Sequence, residues 1–323
     1  MSLIAFLGAI ETGLIFALVA LGVFLSFRIL NFPDLTVDGS FPLGAIVTAT
    51  LITLGSNPDA SALATVIGHP IAATLIGVVA GALAGLLTAW LNVRFNILHL
   101  LASILTMIAL YSINLRISGG KPNVPLLGLD TILSLFTWLQ PAIENIGLTG
   151  PAMRASLKVA VLAVVVIIVL VAFGWFLASE FGLAMRATGA NPRMARAQGI
   201  PTKLHIYVGM AISNALVALA GSLFAQISAG AGDITVGAGT IVAGLAAVIL
   251  GETIIRTRSI WLMLLACVIG SIVYRIVVAL ALNMSWLGLQ ASDLNLLLAV
   301  LIGLGLILPK VRNPLKSMFR RSA

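Results

Sequence analysis

Few residues of this chain could carry out covalent chemistry. The single cysteine, Cys267, lies in an apolar run, where it can form neither an intrachain disulfide nor a multi-cysteine metal site. The three histidines, His69, His99 and His205, show no metal-ligand spacing, and the sequence has no Ser-His-Asp signature and no glycine-rich phosphate loop. The sequence therefore predicts a protein that is not an enzyme, holds no metal and binds no ATP of its own.

Polar residues inside or beside apolar stretches are the better candidates for function. Irregular backbone at membrane depth must be buried in protein or line water, and an acid within a membrane is a functional candidate. Pro33 and Pro42 interrupt the segment after the first apolar stretch, and we predict that both break helix. The residues predicted to line a translocation path are Glu11, Asn31, Asp34, Thr36, Asp38, Asn114 and Asn214.

Structural roles are open for the same polar residues. Asp34 could cap the turn that follows it, and Asp38 could cap a helix that begins near Ser40. Glu11 and the two asparagines could instead form hydrogen bonds between helices. Capping and lining a path do not exclude each other, so the sequence leaves both roles open.

A polar interval at 180–203 interrupts the apolar chain. Asn191 is suited to cap a helix and Pro192 to occupy its first position, while Gly199 suits a helix stop with Pro201 just beyond. The pattern predicts a short basic helix of about seven residues, which is marginal alone in water. We predict that this cytoplasmic segment docks a partner. The alternative is an ordinary loop whose basic residues only orient the chain.

The composition identifies the elements that must position these residues. Of 323 residues, 60% are hydrophobic and 9% are charged, against about 45–50% and about 25% in ordinary globular proteins. So few charges cannot cover a soluble surface, which excludes a soluble enzyme, a disordered tail and, despite the net charge of +8, a nucleic-acid-binding domain. The predicted fold class is all-α, a polytopic membrane helix bundle in the lipid bilayer.

Nine stretches are apolar enough to be membrane spans, each of which needs about 20 residues. A weaker stretch at 131–148 could be a further span or a re-entrant piece, which gives about nine or ten spans. We predict a single membrane domain at 1–309 and a basic cytoplasmic tail at 310–323. The nine stretches are 3–27, 41–54, 66–91, 97–117, 156–178, 204–227, 241–255, 260–282 and 294–308.

Lysine and arginine residues, which concentrate on the cytoplasmic side, orient the second half of the chain. They cluster at 186–203, at Arg256 and Arg258, and at 310–321. Even numbers of predicted spans separate these clusters, so all of them can be cytoplasmic. The first half is not oriented in this way: nine spans would put the N-terminus outside, and ten would put it inside.

Two short sequence segments that recur in the same order indicate an internal repeat. The segment 17–22 is similar to 215–221, and 34–39 is similar to 233–239. The predicted repeat halves are about 1–150 and 200–309. Nine spans would make the halves inverted and ten would make them parallel. Repeated halves with short, interrupted spans form the path of many transporters.

Three segments resemble a known family. The pattern Gly-x-Asn-Pro-x-x-Ala-Arg-x-x-Gly-Ile at 189–200 resembles the coupling-helix motif of ABC importer permeases of the branched-chain amino acid and ribose type. The segments 13–32 and 244–252 are similar to the opening and to a later segment of that family. The turn at 31–45 is longer than the family's usual Ala-His-Gly type and is similar to a tryptophan/tyrosine-type subgroup.

The resemblance implies a permease subunit in the bacterial cytoplasmic (inner) membrane. Such a subunit dimerises with a second copy or a homologue around a central path. Separate ATPase subunits carry ATP and Mg²⁺, this chain has no cofactor, and a periplasmic or extracellular solute-binding protein delivers a small polar solute. The subgroup named above implies an amino acid as the solute, with an aromatic one as the first candidate. The implied ATPase-coupling residues are Gly189, Asn191, Pro192, Arg193, Ala195, Arg196, Gly199 and Ile200.

Two other transport hypotheses remain at this point. An importer of the same type could carry a nucleoside or a sugar. A secondary transporter driven by a proton or sodium gradient could use Glu11, Asp34 and Asp38 as coupling acids. Uptake by vesicles that lack any ATPase would distinguish the secondary transporter from the importer.

Overall fold

The computed structural model describes residues 3–59, 61–139, 150–257, 259–283 and 303. Two π-helical turns continue α1 and α10, and strands β1 (Asn123–Pro125) and β2 (Ala231–Asp233) pair antiparallel. The α-helices of the described residues are α1 (Leu3–Val23), α2 (Val37–Gly55), α3 (Ala62–Ile67), α4 (Pro70–Phe95), α5 (His99–Ile117), α6 (Ile132–Leu135), α7 (Pro151–Ala178), α8 (Glu180–Ala190), α9 (Pro192–Ala197), α10 (Thr202–Leu223), α11 (Thr240–Ile254) and α12 (Ile260–Asn283).

Eight helical segments of the described chain are long and apolar enough to cross a membrane. They coincide with the first eight predicted stretches, which confirms the polytopic helical bundle. The predicted stretch at 294–308, apart from residue 303, and the tail at 310–323 lie outside the described residues. The eight segments are Leu3–Ile29, Val37–Gly55, Pro70–Phe95, His99–Ile117, Pro151–Ala178, Thr202–Ala229, Thr235–Ile254 and Ile260–Ala281.

Pro42 lies inside α2, so the prediction that it breaks helix is wrong. The interruption is confined to the segment that contains Pro33, between the π-helical turn after α1 and the start of α2 at Val37. Because proline has no N–H, the carbonyl of Asp38 receives no helical hydrogen bond from Pro42. Gly237 packs against that carbonyl, and a Cβ at Gly237 would overlap its oxygen.

Close packing of α4 on α10 forms the centre of the bundle. Gly77, Gly81 and Gly85 follow one another at intervals of four residues and face α10. A Cβ at Gly85 would overlap the carbonyl oxygen of Met210, and one at Gly81 would overlap the side chain of Ala218. Small residues at this spacing let two membrane helices approach to backbone contact.

Helices α1 and α10 run in opposite directions. Leu30, just beyond α1, contacts Gly209 near the start of α10. Further back along α1, the carbonyl of Gly22 accepts a hydrogen bond of 2.8 Å from Oγ of Ser213, which lies further along α10. Helix α10 therefore begins at the face that carries α9, here called the docking face, and ends at the face that carries β1 and β2, the strand face.

The weaker stretch at 131–148 has both flanks at the strand face. At its start, the N–H of Ile132 donates at 3.1 Å to Oε1 of Gln226, in the π-helical turn that continues α10. After it, Nζ of Lys158 near the start of α7 lies 3.6 Å from the carboxylate of Glu11 in the first half of α1. This placement and the opposite directions of α1 and α10 indicate that the chain between Ile132 and Lys158 begins and ends at the same face, while the total of nine or ten spans stays a prediction. Residues 140–149 lie outside the described part, and the duplication itself stays a prediction.

Candidate functional site

Helix α9 begins with the cap that the sequence predicts. Oδ1 of Asn191 accepts hydrogen bonds from the N–H groups of Arg193, at 3.2 Å, and Met194, at 3.1 Å. Pro192 occupies the first helical position, where its missing N–H leaves no helical hydrogen bond unmade. The side chain of Asn191 therefore supplies the acceptor for the first N–H groups of the helix.

We expect alanine at Asn191 to weaken the start of α9 by about 1 kcal/mol, because two N–H groups lose their acceptor. Aspartate at the same position keeps the acceptor and serves as the matched control. Hydrogen exchange of the amides of Arg193 and Met194 should become about fivefold faster in the alanine variant and stay unchanged in the aspartate variant. Equal exchange in all three proteins would show that the cap does not hold the helix.

A left-handed residue ends α9. Gly199 has φ +81°, a conformation that glycine adopts without steric cost. The N–H of Ile200 donates to the carbonyl of Ala195, and that of Gly199 to the carbonyl of Arg196, both at 3.0 Å. The helix contains six residues, close to the predicted length, and is fixed at both ends by local hydrogen bonds.

The outer side of α9 combines one apolar and two basic side chains. Ala195 faces inward and is only 2% exposed, whereas Met194 is 61% exposed. Arg193 and Arg196, which precede and follow Met194 in the sequence, are also exposed. We call Arg193, Met194 and Arg196 the docking surface. Sequence reasoning did not single out Met194, although an apolar residue within a basic turn is a signal that could have identified it.

Gly189 connects the docking segment to the end of α1. It lies against the backbone of Ile29 and Leu30, and a Cβ at Gly189 would overlap the carbonyl oxygen of Ile29. The side chain of Leu30 in turn fills the space beside Gly209 of α10. Helix α8 is therefore in backbone contact with the end of α1, and Leu30 links this contact to α10.

Asp34, Thr36 and Asn214 come together in a buried polar network. Nδ2 of Asn214 donates to Oδ2 of Asp34 at 2.8 Å, and the N–H of Thr36 donates to Oδ1 of Asp34 at 2.9 Å. Oγ of Ser40 donates to Oδ1 of Asn214 at 2.7 Å, and Oγ1 of Thr36 lies 2.7 Å from Oγ1 of Thr88. All five residues are fully buried, so the network joins the chain before α2 to α4 and α10.

The position of Asp34 matches the capping alternative. Its carboxylate closes the turn at Thr36 and has no exposed surface. Burial raises the pKa of the Asp34 carboxyl, while the hydrogen bonds from Thr36 and Asn214 act in the opposite direction. In the structure, Asp34 thus ties its own turn to α10, and a role of the network in lining the path stays a prediction.

Asp38 caps a helix that is distant in the sequence. Its Oδ1 accepts from the N–H of Ile241 at 2.7 Å, and its Oδ2 accepts from the N–H of Gly239 at 3.3 Å. The prediction that Asp38 caps a helix beginning near Ser40 is wrong, because α2 already begins at Val37. The N-terminus of α2 therefore meets that of α11 inside the bundle.

A cavity of about 650 Å³ lies beside this meeting point. Asn114 of α5 is fully buried at its wall, and its Nδ2 is 3.4 Å from the carbonyl of Gly39. The Oδ1 of Asn114 has no hydrogen-bond partner within the described residues. The cavity is lined by Asp38, Gly39, Pro42, Met107, Ile108, Tyr111, Ser112, Asn114, Ile234, Thr235 and Ala238.

Two predicted path residues lie apart from both the network and the cavity. Glu11 is buried, and its Oε1 lies 3.6 Å from Nζ of Lys158, which forms an ion pair between α1 and α7. The alternative expected from the sequence was a hydrogen bond between helices. Asn31 is exposed, with φ +52°, in the turn between α1 and α2. Neither lines the cavity beside Asp38.

Sequence reasoning missed two contacts of charged residues. Arg28 and Glu252 form a two-pronged ion pair at the docking face, with Nη2 of Arg28 2.6 Å from Oε2 of Glu252. The guanidinium of Arg275 lies 3.7 Å from the ring centroid of Phe16. The sequence shows that Arg28 and Glu252 carry opposite charges at the ends of two spans. It does not show that those two ends are neighbours. Within the described residues, no group of three His, Cys, Asp or Glu side chains could hold a metal ion.

Comparison with known proteins agrees with this architecture. The family model described as the permease component of the branched-chain amino acid transport system matches residues 5–308. The chain belongs to this family. The permease is therefore a multi-pass membrane protein and a transport subunit of the ABC type, as its relatives are.

Individual relatives of the permease differ in what their names say they carry. It is 33% identical to the tyrosine transport system permease protein of Clostridioides difficile, over 90% of this chain and 86% of the relative. It is 28% identical to the galactose/methyl galactoside import permease of Escherichia coli, over 59% and 54%. A nucleoside ABC transporter permease of Lactococcus lactis is 25% identical over 45% and 50%. No solved structure matches the permease.

Proposed function

We propose that the permease forms the translocation path of an ATP-driven importer for an amino acid with an aromatic side chain. It works in a bacterial cytoplasmic membrane as a dimer with a second copy or a homologue. Separate ATPase subunits bind ATP and Mg²⁺ and dock on α9, and a solute-binding protein delivers the solute at the strand face. The permease itself makes and breaks no covalent bond and holds no cofactor.

The observation that carries this proposal is the docking surface. An isolated helix of six residues is marginal in water, yet α9 is fixed by a cap at Asn191 and a stop at Gly199. It exposes Met194 as an apolar anchor, and Arg193 and Arg196 are exposed on the same short helix. Anchors of this kind carry much of the binding free energy of protein interfaces.

The mechanism follows from the contacts behind the docking surface. Closure of the ATPase dimer on ATP would push α9, and Gly189 would pass the displacement to Ile29 and Leu30. The ion pair of Arg28 with Glu252 ties the same end of α1 to α11. Transport then depends on the difference in stability between two packings of these helices, which ATP binding reverses.

The preference for an amino acid has two supports. One relative that matches over most of both chains is named as a tyrosine transport system permease, whereas the relatives named for a sugar and a nucleoside match over about half. The cavity beside Asp38 has an acidic group and an apolar wall and no basic residue among its lining. A sugar or a nucleoside is the competing substrate class, and the uptake measurements below distinguish the three.

Aspartate in place of Met194 tests the docking assignment. We expect about tenfold weaker association with the ATPase subunit, because a charge would enter the apolar centre of the interface. Leu127 is 93% exposed, and Leu127→Asp is the matched control at the strand face. Association is measured by co-purification and by titration of the ATPase subunit onto the purified permease, and transport by ATP-dependent uptake of labelled L-tyrosine, D-galactose and adenosine.

Each outcome of this experiment separates two hypotheses. Undiminished association and uptake in Met194→Asp would refute docking at α9. Equal losses in both variants would attribute the effect to general damage and would also refute it. Uptake by proteoliposomes without any ATPase would establish the secondary transporter instead, and uptake of galactose or adenosine but not tyrosine would replace the proposed substrate class.

A further inference from the structure

Two helices begin inside the bundle at the same place. Helix α2 starts at Val37 after the irregular segment at 30–36, and α11 starts at Thr240 after the 3₁₀ turn Thr235–Gly237. Gly237 packs against the backbone carbonyl of Asp38, so the two N-termini are in contact. In membrane transporters, the positive ends of helices that begin within the bilayer face anionic groups.

The carboxylate of Asp38 occupies this meeting point. It accepts N–H groups of Gly239 and Ile241 and so compensates the positive end of α11. A carboxylate offers about four acceptor positions, of which these two hydrogen bonds use two. Asp38 is only partly buried and lines the cavity. Its remaining acceptor capacity is therefore available to a donor inside the cavity.

Asn114 supplies a second, independent acceptor. Its side chain is fully buried in the cavity wall, and its Oδ1 has no partner within the described residues. Its Nδ2 is 3.4 Å from the carbonyl of Gly39, the residue next to Asp38, which places the amide beside the carboxylate. A buried acceptor without a donor is unfavourable, so a donor brought by a ligand would be bound there.

The chemistry of this pair selects a cationic donor with an apolar body. Both groups accept hydrogen bonds, one is negatively charged, and the cavity lining contains no Lys, Arg or His. An ammonium group carries three N–H donors and a positive charge, whereas an anionic group would be repelled. Pro42, Met107 and Tyr111 form an apolar and aromatic wall in the same cavity.

We propose that Asp38 and Asn114 form a transit site for the α-ammonium group of an amino acid, with its side chain against Met107 and Tyr111. This proposal rests on the proposed import of an amino acid and deepens it. It assigns Asp38 two roles: the carboxylate holds the start of α11, and it binds the solute at the point where α2 and α11 meet.

The test uses the complete transporter with its ATPase and binding protein, and L-tyrosine as the solute. Asp38→Asn should raise the KM for ATP-dependent uptake at least tenfold, roughly what a lost charge-assisted hydrogen bond costs. Asn114→Leu should raise it about fivefold. The exchanged variant, which carries both Asp38→Asn and Asn114→Asp, returns the negative charge to the cavity. It should recover most of the affinity. Asp59→Asn, at an exposed acid outside the cavity lining, is the matched control.

Competitors identify the group that is recognised. Tyramine, which keeps the ammonium and lacks the carboxylate, should bind the purified permease, whereas 3-(4-hydroxyphenyl)propanoate, which lacks the ammonium, should not. Binding is measured by isothermal titration calorimetry on the detergent-solubilised permease. The proteins compared are the wild type, Asp38→Asn and the exchanged variant. Loss of tyramine binding in Asp38→Asn and its return in the exchanged variant would support the transit site.

Other outcomes overturn the proposal in distinguishable ways. If the wild type imports tyrosine and Asp38→Asn does so with unchanged KM, the transit site is refuted while amino-acid import stands. If Asp38→Asn and the exchanged variant lose uptake equally, Asp38 only caps α11. If the complete transporter imports galactose or adenosine and no amino acid, the proposed substrate class fails together with the transit site.

Discussion

Alanine in place of Asp34 is expected to lower the free energy of unfolding by about 2–4 kcal/mol. The substitution removes the acceptor of the Thr36 N–H and one acceptor of Asn214 Nδ2, which keeps only the carbonyl of Met210. Both donors are buried, and each buried donor left without a partner costs about 1–3 kcal/mol. The loss would loosen the junction of the segment at 30–36 with α10.

The chain contains a matched control for this prediction. Asp233 closes a turn of the same kind, with Oδ1 accepting the N–H of Thr235 at 2.7 Å, but it is partly exposed. Water can replace that acceptor, so Asp233→Ala should cost less than about 1 kcal/mol. Thermal unfolding of the detergent-solubilised permease measures both variants. Equal stability losses would show that burial of the network does not determine the effect.

Alanine at Gly189 is expected to reduce ATP-driven uptake by about tenfold or more. The added Cβ would overlap the carbonyl oxygen of Ile29, so α8 and α9 must move away from the end of α1. Overpacking of this kind costs about 1–3 kcal/mol, and here it would break the contact that passes movement from the docking surface to the bundle. ATP hydrolysis should persist, because the docking surface at α9 is unchanged.

Uptake per ATP hydrolysed is therefore the measurement for the Gly189 variant. Gly8→Ala is the control, because a Cβ at Gly8, in α1, would meet no atom within 4 Å. We expect that variant to transport like the wild type. Wild-type coupling in Gly189→Ala would contradict the proposed transmission through Ile29. A parallel fall of hydrolysis and uptake would instead place the damage at docking.

Local patterns were sufficient to predict the spans and the short capped helix α9. A run of apolar residues long enough to cross a bilayer is a property of the sequence alone, and eight such runs coincide with helices of the described chain. The cap at Asn191 and the stop at Gly199 depend on residues within a few positions of each other. Such signals need no knowledge of the neighbouring helices.

The roles of the intramembrane polar residues could not be obtained in this way. Asp34 and Asp38 lie four positions apart in one segment, yet one closes a buried network and the other caps α11 some 200 residues away. Glu11 finds Lys158, and Arg28 finds Glu252, across similarly long separations. Each pairing depends on which helices are neighbours, which the periodicity of a single span does not contain.

Helix α2, which contains Pro42, also shows a feature that local sequence patterns did not predict. Proline removes one helical hydrogen bond, which by itself predicted a break. In the folded permease, packing against α10 and against Gly237 keeps α2 continuous through that position. Tertiary contacts thus overrode a local preference at the place where α2 meets α11.

Sequence alone thus determined that this protein lies in a membrane, that it is helical, and that a capped basic helix projects from one face. Bilayer insertion and helix capping are set by residue type within one or two turns, which is why these features were predictable. Only the tertiary structure decided that Asp38 and Asn114 share a cavity while Asp34 is sealed away. The physical reason is that hydrogen bonds between buried polar groups form where helices cross, and close packing of Gly77, Gly81 and Gly85 on α10 sets those crossings.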